Sequence, residues 1–167
     1  MARQLTAEDA RESLTAHVAA KGAEICAKYG PGLGWGELQL LLADRAFVRY
    51  PCTVSFDAGP LHPGEFAHPV PTGETPADGF TMFVHPLFMV QLDQVPALVL
   101  YQLVALNYGE FASNEEAETF GAAALGLGRD EYYDRVCALS DQLGGGEELE
   151  SLPSPGECGG GGCSCGG

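Results

Sequence analysis

The chain has 167 residues, 46% of them hydrophobic, which is enough for one domain with a real core. Its formal net charge of −15, from 23 acidic and 8 basic residues, argues against wrapping nucleic acid or lying on an anionic membrane. Residues 1–13 contain no apolar run of the signal-peptide kind, so a cytoplasmic location is expected, where the six cysteines are thiols or metal ligands rather than disulfides.

Residues 6–29 are expected to form a long helix with Ala10, Leu14, Val18, Ile25 and Tyr29 close to one face, ended by Gly30-Pro31-Gly32. His17 and Cys26 fall within it as packing or surface residues. Residues 34–42 read as a short amphipathic helix in which Trp35, the only tryptophan, anchors the core. Phe47, Val48 and Tyr50 are strand-like, and residues 53–57 alternate as a half-buried strand does. Residues 61–77 are rich in Pro, Gly and His and hold one short strand near 65–68. The clearest strand spans 81–85, followed by a short helical or loop piece over 86–90.

Residues 95–127 organise the rest. Pro96 suits a first helical turn, and Gln102 is the one strongly polar residue between 97 and 106. A helix that apolar belongs in the interior, and it falls short of the ~20 residues a bilayer span needs. Asn107-Tyr108-Gly109 ends it. Ser113 and Glu116 form an S-x-x-E capping box, which opens a second helix near Asn114 with an acidic first turn. The small residues Gly121, Ala122, Ala123 and Ala124 let another helix approach closely. Asp130 is expected to cap a last helix to about Leu143, with Tyr133, Val136, Cys137, Ser140 and Leu143 along one stripe.

Strands in the first half and helices in the second indicate α+β: a small, mainly antiparallel sheet packed against three or four main helices over residues 4–143. Residues 144–167, dominated by Gly with several Glu, are expected to be a disordered, flexible tail. There is no G-x-G-x-x-G, P-loop or G-x-S-x-G motif.

The order strand, loop, buried helix, turn, then Glu116-Ala117-Glu118-Thr119-Phe120-Gly121-Ala122-Ala123-Ala124-Leu125 resembles the zincin-like metallopeptidases, especially the ImmA/IrrE-like branch. The likeness covers about residues 54–127. It implies Glu116 as a third zinc ligand and the strand at 81–84 as an edge strand that binds substrate backbone. The family's buried helix also carries H-E-x-x-H, two His for zinc and a Glu that activates water. The counterpart here is Tyr101-Gln102-Leu103-Val104-Ala105, with no His and with a glutamine that keeps the shape of glutamate but cannot take a proton. What the resemblance implies is therefore a degenerate scaffold. Glu116 in a capping box with Ser113 needs no metal.

Two other groups of residues carry candidate chemistry. His62, His68 and His85 would form a metal site with Cys52, Glu65 or Asp57, and a metallohydrolase would use these histidines with Glu116. Cys158, Cys163 and Cys165 place three thiols close together between Gly and Ser, a donor set for Zn²⁺, Cu(I) or an iron–sulfur cluster. A closed zinc site takes four ligands, so Cys52, a His, Glu157 or a second chain would complete it. The same tail resembles, in composition, precursors of azole-modified ribosomal peptides such as microcins, in which partner enzymes cyclise Cys and Ser. The expected function is a non-catalytic metal-binding or partner-binding protein on a degenerate zincin-like scaffold, with a soft metal at the tail and a protein as its partner.

Overall fold

Thr6 starts helix α1 (Ala7–Tyr29): its hydroxyl accepts from the Asp9 amide at 3.1 Å while the Asp9 carboxylate accepts from the Thr6 amide at 2.9 Å. The computed structural model describes residue 4 and residues 6–151, the stretch after Gly144 as backbone only. On α1 the buried residues are Val18, Gly22 and Ile25, with Leu14 and Tyr29 half-buried and Ala10 exposed. Helix α2 (Trp35–Ala43) buries Leu38, Leu41 and Leu42. Trp35, expected to anchor the core, is half-buried and packs against it, its ring 5.8 Å from that of Phe56.

The strand-like residues Phe47, Val48 and Tyr50 form no strand. Asp44 turns the chain there, accepting from the Ala46 amide through its carboxylate and from the Phe47 and Val48 amides through its carbonyl. The strands are β1 (Cys52–Phe56), β2 (Ala67–Pro71) and β3 (Phe80–Val84), in the order β1-β3-β2. The expectation of a mainly antiparallel sheet is corrected: the sheet is mixed, with β3 parallel to β1 and antiparallel to β2. The strand at 81–84, which the resemblance makes an edge strand, is the central one. The chain lays β2 down at the far side first and then inserts β3 into the gap.

The edge at β2 is blunted by its own sequence. Phe66 and Thr72 bond to β3 through the His85 and Gly79 pairings, so by alternation Ala67, Pro69 and Pro71 point their backbone groups outward. Two of those three positions are prolines and have no N–H to offer.

A 3-10 turn over Pro86–Val90 leads to α3 (Val95–Tyr108), which buries ten of its fourteen residues and is the central rod of the fold. Helix α4 (Asn114–Leu125) follows, and Gly126 closes it in the left-handed conformation at φ 71°. The small stripe on α4 does what it predicts. A Cβ on Gly22 of α1 would lie 2.6 Å from the Ala123 Cβ, and one on Gly121 would lie 2.1 Å from the Tyr132 ring. Among the described residues there are five α-helices, the last being α5 (Arg129–Ser151). It begins one residue before Asp130 and its backbone continues past Leu143, where the glycine run had marked its end. Its buried stripe is Tyr132, Val136 and Leu139; Val136 is as expected, whereas Tyr133 is 50% exposed. The shift follows from Gly121: the hollow there admits the Tyr132 ring, whose hydroxyl donates to the Ala97 carbonyl at 2.6 Å.

Candidate functional site

Glu116 stands in the first turn of α4 and is 1% exposed. Its Oε2 accepts from the Ser113 amide at 2.7 Å and from the Ser113 hydroxyl, and its Oε1 accepts from the Thr15 hydroxyl of α1 at 3.2 Å. Burial works to raise this carboxyl, but the Ser113 hydroxyl and amide and the Thr15 hydroxyl outweigh it and hold the group below the ordinary carboxylate range. The residue is a charged fastener between two helices, and no imidazole is among its hydrogen-bond partners in the described residues.

The α3 residues at the positions of the missing motif do reach the surface. Tyr101 and Gln102 are half-buried and Ala105 is exposed, so the rod is not apolar all round. Together with Ser113, Asn114 and Ala117 they line a depression of about 170 Å³. The Tyr101 ring meets Phe66 edge-on at 5.8 Å, and burial raises its hydroxyl above the usual phenol range. A neutral phenol and an amide can hold a polar ligand by hydrogen bonds, and the Ala105 methyl adds only apolar contact. They cannot take a proton from water at neutral pH.

The histidines keep local company. His68 Nδ1 lies 3.2 Å from Glu65 Oε1, and Glu65 Oε2 accepts from the His62 amide at 2.9 Å. His85 Nδ1 accepts from the Leu87 amide at 3.1 Å, capping the 3-10 turn. His62 and His85 share a depression of about 250 Å³ with Leu143. Glu116 joins none of these contacts. Among the described residues, no three His, Cys, Asp or Glu side chains gather closely enough to hold a metal ion.

Cys26, Cys52 and Cys137 are free thiols on α1, β1 and α5. Burial pushes the Cys52 thiol up to about 11, so it is protonated at neutral pH and a poor candidate to complete a metal site. Cys158, Cys163 and Cys165, with Glu157, lie outside the described residues.

One depression was not legible in advance. His17, Lys21, Arg45 and Arg49 line it together, although they come from α1 and from the segment after α2. The available signal was Arg45 and Arg49 flanking Phe47 in a chain poor in basic residues.

No described helix is long and apolar enough to cross a membrane. Compared with known protein families, curated proteins and solved structures, the chain matches none.

Proposed function

We propose that this chain is a non-catalytic protein that binds a soft metal ion through Cys158, Cys163 and Cys165, carried on a folded body that is a degenerate relative of the zincin-like scaffold. The observation that carries the reading is the spacing itself: three thiols between 158 and 165, separated by Gly and Ser, whose backbone wraps readily around an ion. Three thiolates satisfy Cu(I). For Zn²⁺ the fourth ligand comes from Glu157 or from a second copy of the chain. Cys52 is set aside as that ligand because it is 7% exposed and its thiol is held protonated. The non-catalytic half of the proposal is supported by Tyr101 and Ala105 at the positions where the resemblance would have zinc ligands, and by Glu116 being engaged with Ser113 and Thr15.

Anaerobic titration of the reduced full-length chain with Zn²⁺, against a chromophoric chelator, tests this. About one ion per chain is expected, with proton release as the thiols ionise. Replacement of Cys158, Cys163 and Cys165 by Ser abolishes binding, whereas replacement of His62, His68 and His85 by Ala leaves it unchanged. Binding that survives the serine substitutions would refute the assignment.

A further inference from the structure

Positive charge is scarce on this chain, and much of it gathers in one place. Lys21, Arg45 and Arg49, three of the 8 basic residues, line a single depression of about 260 Å³ together with His17 and Asn107. We infer that this depression and the apolar one adjoining it bind a small phosphate monoester, the phosphate between Arg45, Arg49 and Lys21 and the ring or apolar body beside Tyr50 and Phe80.

The cationic end is both available and held in place. Neither Arg45 nor Arg49 makes an ion pair among the described residues, in contrast to Lys21, Lys28 and Arg129. Asp44, the nearest carboxylate in sequence, is occupied by the Lys28 ammonium, the Tyr29 hydroxyl and the Ala46 amide. Lys21 contacts Glu24 at 3.1 Å through an exposed pair, which is easily exchanged for a better anion. The Arg49 guanidinium stacks 5.3 Å over the Tyr50 ring, and Arg45 Nη1 donates to the Val48 carbonyl at 3.3 Å, leaving its other N–H groups free. The floor is pinned by Asn107, itself 7% exposed: its Nδ2 donates to the Phe47 carbonyl at 2.8 Å and its Oδ1 accepts from the Arg49 amide at 2.9 Å. Planar guanidinium forks suit the tetrahedral oxygens of phosphate better than a lone ammonium does.

The second depression, of about 330 Å³, shares Arg49, Asn107 and Tyr108 with the first and is otherwise lined by Tyr50, Phe80, Pro69 and Pro76 among others. The Tyr50 and Phe80 rings lie 5.7 Å apart at 42°. The two depressions adjoin across Arg49, Asn107 and Tyr108, one with a cationic lining and the other with an aromatic one. The size of the ligand follows from charge. A chain of net charge −15 repels polyanions at a distance, while a local cationic site acts within a Debye length of about 8 Å. A small anion profits from the site without meeting the whole field; a nucleic acid does not.

The test is amide-resolved NMR titration of the full chain with inorganic phosphate, phenyl phosphate and a short single-stranded DNA, all at one ionic strength. Saturable shifts are expected at residues 45–49 and 107–109, with phenyl phosphate several-fold tighter than inorganic phosphate. The double variant Arg45→Gln, Arg49→Gln, altered only at exposed side chains, keeps its melting temperature and weakens phenyl phosphate by about tenfold or more. No saturation with either phosphate, or unchanged affinity in the double variant, overturns the site. Equal affinity for the two phosphates overturns the aromatic end, and DNA binding tighter than phenyl phosphate overturns the small-ligand assignment.

Discussion

Substitution Gly22→Ala probes the contact on which the helical layer depends. Helices α1 and α4 meet there without room for a methyl group. The added Cβ would stand 2.6 Å from the Ala123 Cβ, 2.7 Å from the Phe120 carbonyl oxygen and 3.1 Å from the Ala124 nitrogen. Normal carbon–carbon contact is about 3.5–4.0 Å, so the helices must part by roughly 1 Å. Overpacking of this kind costs about 1–3 kcal/mol, and the upper half of that range applies because two of the three neighbours are backbone atoms. Alanine recovers up to about 1 kcal/mol of helix propensity, which leaves a net loss of about 1–2 kcal/mol. Gly36 on α2 supplies the control, since nothing lies within 4 Å of a Cβ built there. Gly36→Ala is expected to gain up to about 1 kcal/mol by propensity alone. Urea unfolding followed by circular dichroism reads both variants, which should move in opposite directions. Gly22→Ala as stable as the parent would refute the close crossing of α1 and α4.

Glu116→Gln is expected to cost about 1–3 kcal/mol in a urea titration, because an amide replaces a buried carboxylate that accepts three hydrogen bonds. The folded carboxyl titrates below its ordinary value of 4.5, so its contribution is complete above that pH and is lost as the pH falls below it. Parent and variant should therefore converge in acid, and a gap that widens there would contradict the sign. Asp44, lowered from 3.8 to about 2 chiefly by the Lys28 hydrogen bond, extends the acid sensitivity further down. Cys52 should react with a maleimide at neutral pH far more slowly in the folded chain than in urea, as peptide mapping would show; equal rates would mean that β1 is open. The double variant Pro69→Val, Pro71→Val restores outward N–H groups to β2, so light scattering should reveal self-association that the parent lacks. A strictly monodisperse variant would remove the edge-blunting role from these prolines.

The helical half was readable because its signals are local. Thr6, Pro96 and Ser113 mark element ends by chemistry acting over three or four residues, and the structure puts the ends there. The sheet was less so. Strand positions followed from alternation, but strand order depends on how residues 57–79 route the chain, and nothing local encodes that β3 enters between β1 and β2. On α5 Val136 is buried as expected, but its companions are Tyr132 and Leu139 rather than Tyr133 and Ser140, because the register is set by a hollow at Gly121 on another helix. The candidate sites divide in the same way. Glu116 as a capping residue was legible from Ser113 three positions earlier. The cationic groove was not, because it joins His17 and Lys21 to Arg45 and Arg49 only after α1 and α2 fold back on each other. The edge-strand role that the resemblance implied for 81–84 fails because that strand is paired on both sides.

The proposed metal site is made of the thiols at 158, 163 and 165. Elemental analysis of the full-length protein, purified anaerobically without chelators, measures them most directly. The prediction is about one equivalent of zinc or copper per chain, absent from the variant with serine at all three positions. Metal-free protein, or the same metal content in the serine variant, would contradict it.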